Sequence, residues 1–170
     1  MCGRFEQSET KRYYASALGA DTSDHVTWLG DHIPSYNTAP GRCPWMIMLD
    51  KGELQFIGMT WGYRTPKEAV QKKKPWICAR VEKSLTGSYF RHMCREGRVI
   101  VPCGGWYEWT VENGKNQPWY ITRKVNEPSF MAGLTNFQRY THQTVLDSNS
   151  KDSYPSFVTG LTIFLIFDIT

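Results

Sequence analysis

A chain of 170 residues that is 41% hydrophobic and 14% aromatic has apolar mass enough for one packed domain and is not composed like a disordered protein. Its longest apolar run, LTIFLIF at 161–167, is far too short to span a bilayer, and the largely polar stretch 4–14 does not read as a signal peptide. The net charge of +4 is unevenly held: residues 64–99 carry ten basic side chains against three acidic ones, so that segment holds +7 and the remainder −3. Such segregation suits either a polyanionic partner or an ordinary solvated face.

In chain order, Ser8 is placed to cap a helix running to about Leu18, with Gly19 at its end. A long loop follows, containing SYNTAPG at 35–41. WMIML (45–49) and ELQFIGMTWGY (53–63) read as strands joined by a turn at Asp50-Lys51-Gly52. The polar, basic stretch RTPKEAVQKKKP (64–75) reads as a loop. WICARV (76–81) reads as a short strand, and residues from Glu82 to about Glu96 suit a helix ending at Gly97. RVIVP (98–102), GWYEWTV (105–111), PWYITRK (118–124) and FMAGL (130–134) then read as strands, with turns such as Glu112-Asn113-Gly114 between them. Residues 138–156 are polar and loop-like, and GLTIFLIFDIT closes the chain as a strand. This pattern predicts one α+β domain over residues 1–170, rich in antiparallel strands with helices outside them.

Five cysteines, at 2, 43, 78, 94 and 103, form an odd set with no C-x-x-C pair, as expected for reduced thiols in a cytoplasmic protein. His92, Cys94 and Cys103 lack the second paired ligand of a structural zinc site, so neither metal nor cofactor is expected. The opening MCGRF has chemistry of its own. Removal of Met1 leaves Cys2 with an α-amine of pKa ~7.7–8.0 and a thiol of pKa ~8.5 on adjacent carbons. An aldehyde can form an imine with that nitrogen and then close onto sulfur as a five-membered thiazolidine. Within WYEW, strand alternation puts Trp106 and Glu108 on one face and Tyr107 and Trp109 on the other. A carboxylate on an aromatic face is partly desolvated and suits proton transfer.

MCGRF, SYNTAPG, MTWGY, ICARVE, RVIVPCGGWYEW and FMAGL occur in this order, and together they resemble the SRAP (SOS response-associated peptidase) family from residue 1 to about 134. The resemblance implies a compact, mostly β fold with a barrel-like core and a cationic DNA groove. It further implies covalent capture of abasic sites in single-stranded DNA by Cys2, which protects the strand from cleavage. It casts Glu108 in sugar-ring opening and proton transfer. Asn37 either holds its loop through Asx hydrogen bonds or orders the N-terminus beside the site. Arg4 and Arg80 are candidate phosphate ligands, with an Arg80–Glu82 ion pair as the alternative for the second. Trp61 and Trp76 either stack at the unpaired site or belong to the core, and Lys74, within the KKK run, fits attraction to a polyanion. The implied protein is a monomer of bacterial or phage origin whose partner is single-stranded DNA and which touches no membrane.

Two positions depart from the family pattern. Cys78 stands where the family commonly has asparagine, a better hydrogen-bond donor than a thiol. A family histidine in an I-H-x-R-M-P-like stretch has no counterpart at His25, His32, His92 or His142, and the expectation is an incomplete chain that lacks the C-terminal part of the family domain. Two other activities fit the same residues: a self-processing peptidase or amidohydrolase using the Cys2 thiol, and a non-covalent single-strand binder.

Overall fold

The computed structural model describes residues 3–20, 26–29, 33–124, 127–136 and 161–166. In chain order the elements are β1 (Arg4–Gln7), α1 (Lys11–Ala17), β2 (Val26–Leu29), β3 (Ser35–Thr38), β4 (Trp45–Asp50), β5 (Glu53–Gly58), β6 (Thr60–Trp61) and α2 (Pro66–Val70). They continue with β7 (Cys78–Arg80), α3 (Val81–Thr86), α4 (Arg91–Glu96), β8 (Arg98–Cys103), β9 (Gly105–Glu112), β10 (Lys115–Thr122), β11 (Ser129–Thr135) and β12 (Leu161–Ile166).

The strands make two sheets. The smaller runs β10-β9-β1-β3, and the larger runs β2-β5-β4-β8-β11-β12-β6, with β7 also paired to β12. Most ladders are antiparallel, while β2 joins β5 in parallel and β12 joins β6 and β7 in parallel. Among the described residues neither sheet closes on itself, so in place of a closed barrel two sheets share one core.

The core explains why WMIM at 45–48 is apolar at every position rather than at alternate ones. Met46 and Met48 point to one face of β4, where they meet Ile57, Val99, Val101 and Phe5 of the smaller sheet. Trp45 and Ile47 point to the other, where Phe56 and the α1 residues Tyr14 and Ala15 cover them. The strand is therefore buried on both sides over Trp45–Met48, while Leu49 near its end is exposed. Gln7 fastens the two sheets together from a fully buried position. Its Nε2 donates to Trp45 O at 3.1 Å and Pro102 O at 2.7 Å, and its Oε1 accepts from Trp45 N at 2.7 Å. With its polar atoms paired, it escapes the penalty of an unsatisfied buried amide.

Several local expectations are corrected. Thr10, not Ser8, caps the first helix, accepting from Tyr13 N at 3.2 Å, because Ser8 N and Oγ are both engaged by the Glu6 carboxylate. SYNT is a strand, since the open edge of β1 takes it as a partner at Phe5↔Thr38. The stretch 64–75 contains α2, started by Pro66 and by a capping box in which Thr65 and Glu68 satisfy each other's backbone N–H groups. The helix expected after Glu82 is two short ones, with Gly87 between them. The β9–β10 turn puts Asn113 at φ 51° and Gly114 at φ 74°, the paired left-handed residues of a tight hairpin. Residues 138–156 lie outside the described residues. No described helix is long and apolar enough to cross a membrane.

Candidate functional site

The β1–β9 ladder sets the first half of the site. Its register pairs Arg4 with Tyr107, Phe5 with Trp106 and Glu6 with Gly105. Paired residues share a face, so Phe5, Trp106 and Glu108 point inward, while Arg4 and Tyr107 point outward. Phe5 and Trp106 pack into the core between the sheets, which leaves Glu108 half-buried where that core reaches the surface. One further step along the register brings Gly3 level with Glu108. Cys2, the residue before it, lies outside the described residues.

Cys78 comes to the same place from the other sheet. It packs against the cluster that holds Phe5 and Trp61, alongside Ile77 and Trp106. Burial pushes its thiol up to about 11, and the Glu108 carboxylate adds to the rise, which places the two groups within electrostatic reach of one another. At neutral pH Cys78 is a neutral thiol.

Beyond Cys78 the chain forms one wall of a cleft of about 590 Å³, lined by Trp76, Cys78, Arg80, Lys83, Tyr89 and Phe90 among others. Trp76 is 53% exposed, and Arg80 and Lys83 are exposed at the rim. Among the described residues no carboxylate pairs with Arg80, and its carbonyl accepts from Ser84 Oγ at 2.9 Å. The aromatic wall is built from edge-on contacts: Trp76 to Tyr89 at 6.4 Å, Tyr89 to Phe90 at 4.6 Å and Tyr63 to Tyr89 at 5.6 Å. Gly62, at φ 125°, lets this wall approach, because a Cβ there would stand 3.0 Å from the Pro75 Cβ. An exposed indole, further aromatics and two cations on one cleft can stack a base and hold a phosphate.

The remaining sequence candidates fall elsewhere. Trp61 is 1% exposed, with its ring 5.4 Å from that of Phe5 and its Nε1 donating to Ile77 O at 2.9 Å. It is a core residue, with no ring face open to a base. It supports the cleft from beneath by fixing the strand that carries Cys78. Asn37 accepts from Arg4 Nη1 at 3.2 Å, so it orders the start of β1 on the outer face of the small sheet. Arg4 therefore stands across that sheet from Glu108. Lys74 is exposed just before Trp76. Sequence reasoning overlooked Lys83 and Tyr89, which α3 and the turn after it bring to the cleft, and also Glu68, whose capping-box spacing in TPKE was a readable signal.

A small sheet whose inner face carries a half-buried glutamate to a thiol, beside an aromatic and cationic cleft, defines a class of β-rich domain with one composite site. The chain belongs to the SRAP family: the family model, described as SOS response associated peptidase, matches residues 1–157. An Escherichia coli protein named abasic site processing protein YedK is 36% identical over 141 residues, which cover 82% of this chain and 62% of that protein. Abasic site processing protein YoaM of Bacillus subtilis is 28% identical over 146 residues, 84% of this chain and 62% of that one. The chain thus spans about three fifths of the length of these relatives. Among solved structures, a phage-related protein of Bordetella bronchiseptica superposes with a TM-score of 0.70 at 24% identity, covering 96% of this chain and 68% of that one. A Bacteroides thetaiotaomicron protein does so with a TM-score of 0.63 at 20% identity, covering 96% and 67%. These two likenesses show the fold.

Proposed function

We propose that this protein captures abasic sites in single-stranded DNA covalently, through Cys2 after removal of Met1. The observation that carries the reading is that the β1–β9 register brings the start of β1 to Glu108, while Cys78, within electrostatic reach of Glu108, lines a cleft that offers Trp76, Arg80 and Lys83. The names of the Escherichia coli and Bacillus subtilis relatives support the same substrate.

The chemistry follows from the groups available. An abasic deoxyribose is mostly a closed hemiacetal. Glu108 takes the proton from the anomeric hydroxyl and returns it to the ring oxygen, releasing the C1′ aldehyde. The Cys2 α-amine adds to C1′ and water departs, giving an imine. The Cys2 sulfur then adds to that carbon while its proton passes to nitrogen, closing a thiazolidine. Ring closure removes the imine that would otherwise promote β-elimination, and the strand stays intact. Arg80 and Lys83 hold the flanking phosphates, and the half-buried position of Glu108 limits competition from water.

Incubation with a single-stranded oligonucleotide bearing one abasic site, without borohydride, followed by a denaturing gel, tests this. A shifted band is expected for the wild type and none for Cys2→Ala or for protein that retains Met1. Glu108→Gln should slow band formation about 10²–10⁴-fold, the usual range for loss of a proton-transfer group. Cys78→Asn should retain crosslinking. A salt-sensitive complex that denaturation removes, with no band, would instead make the protein a non-covalent binder. Turnover of peptide substrates with no band would make it a peptidase.

A further inference from the structure

Glu68 has no part in the chemistry above, yet one of its carboxylate oxygens gathers three donors beside the cleft. Oε2 accepts from Thr65 N at 2.9 Å, from Thr65 Oγ1 at 2.9 Å and from the Tyr89 hydroxyl. These donors come from two separate pieces of chain: the α2 cap and the turn before α4. A surface carboxylate has water to bond to, so a helix cap alone does not explain the third donor, the Tyr89 hydroxyl. The Tyr89 ring that it holds lies edge-on to the Trp76 indole, with centroids 6.4 Å apart.

What the carboxylate gathers is the outer wall of the cleft. The Trp76 backbone is pinned by Tyr63, through N–H···O bonds of 2.7 and 2.8 Å, and its indole rests edge-on against the Tyr89 ring that Glu68 holds. The basic segment beside it is braced too. Lys73 N donates to Glu68 O at 3.0 Å, and Arg64 Nη1 donates to Lys73 O at 3.1 Å. Lys67, Lys72, Lys73 and Lys74 are exposed on that braced segment. Side-chain ordering on binding costs about 0.5–1.5 kcal/mol per flexible group, so a wall fixed beforehand binds more tightly than the same residues held loosely.

We propose that Glu68 is a positioning residue for single-stranded DNA: it sets the Trp76 indole and the lysine-bearing segment 64–75 at the cleft mouth in a binding-ready arrangement. This rests on the cleft being the nucleic-acid site. It makes a prediction opposite in sign to simple electrostatics. Glu68→Gln removes a negative charge beside a basic surface, which by charge alone strengthens DNA binding. Loss of positioning weakens it.

The test is non-covalent binding of a single-stranded oligonucleotide carrying a tetrahydrofuran spacer, which offers no aldehyde. The Kd should rise about fivefold for Glu68→Gln despite the gained charge. It should rise about two- to threefold for Tyr89→Phe, which keeps the ring and the net charge but removes one donor. In protein labelled with 5-fluorotryptophan, the Trp76 resonance, assigned by Trp76→Phe, should shift or broaden in both variants. Circular dichroism confirms that each is folded. Binding by Glu68→Gln as tight as wild type or tighter, with the Trp76 resonance unmoved, overturns the positioning role alone. A wild type that does not bind the oligonucleotide overturns the nucleic-acid reading and this role with it.

Discussion

The two halves of the candidate site are held by different means. Glu108 stands on a ladder eight residues long on one side, and its inner neighbours Phe5 and Trp106 are anchored in the core. Any displacement of that carboxylate has to disturb backbone hydrogen bonds and buried rings together. The outer part of the wall, residues 64–76, has the five-residue α2, a single backbone bridge between Tyr63 and Trp76, and one carboxylate bonded by Thr65 and Tyr89, while β7 behind it is paired to β12 and Ala79 and Phe90 are buried. It is positioned by a few polar contacts that one substitution can remove. The proposed proton-transfer residue thus sits on the rigid part, and the indole and lysines proposed to meet DNA sit on the adjustable part.

The comparison can be broken most severely at the point where the halves meet. Trp61 touches Phe5 of β1 and bonds Ile77 ahead of β7, so Trp61→Ala should destabilise the fold by about 3–5 kcal/mol in denaturant titrations. A loss below about 1 kcal/mol would mean that the two halves are joined elsewhere. Next in size is the reactivity of Cys78. With its pKa at about 11, its peptide should be alkylated by iodoacetamide at pH 8 about a hundredfold more slowly than free cysteine, as mass spectrometry would show. Glu108→Gln should speed that alkylation several-fold by removing the nearby negative charge. An unchanged rate would argue that the two residues do not face a common space.

Trp76→Ala should weaken single-strand binding about tenfold, the scale of one base–aromatic stack, while leaving stability within about 0.5 kcal/mol. That outcome would set it apart from Trp61 in kind as well as degree. The smallest effect concerns pH. Bonding to Tyr89, and then to Thr65, lowers Glu68 from 4.5 to about 2. A carboxyl depressed in the folded state adds stability above its unfolded pKa and forfeits it as the pH falls toward the folded value. Melting curves of the wild type should therefore fall between about pH 4.5 and 2 slightly more than those of Glu68→Gln. Parallel curves would mean that the carboxylate hub contributes little.

Legibility in the sequence varied with the range of the contacts involved. The inward pairing of Trp106 with Glu108 could be read from alternation in WYEW, because side-chain direction in a strand depends only on neighbouring residues. The turn at Asp50-Lys51-Gly52 and the hairpin at Asn113-Gly114 were readable for the same reason. So was the capping box of Thr65 and Glu68, although the lysines around it favoured a loop reading. Trp61 and Trp76 could not be told apart, since both lie in short aromatic blocks beside glycine or proline. Their fates were settled by which residues the other sheet placed over them.

The sequence by itself determined the reactive inventory: an aminothiol latent in Met1-Cys2, a glutamate on an aromatic strand face, and a basic stretch at 64–99. Tertiary structure alone decided which of these meet. It brought Cys78 to Glu108, turned Arg4 and Asn37 to the opposite side of their sheet, buried Trp61 and raised Tyr89 and Lys83 to the cleft. The physical reason is that residue type and alternation are local properties. Register between strands distant in sequence is chosen by the burial of Phe5, Gln7 and Trp61 between two sheets.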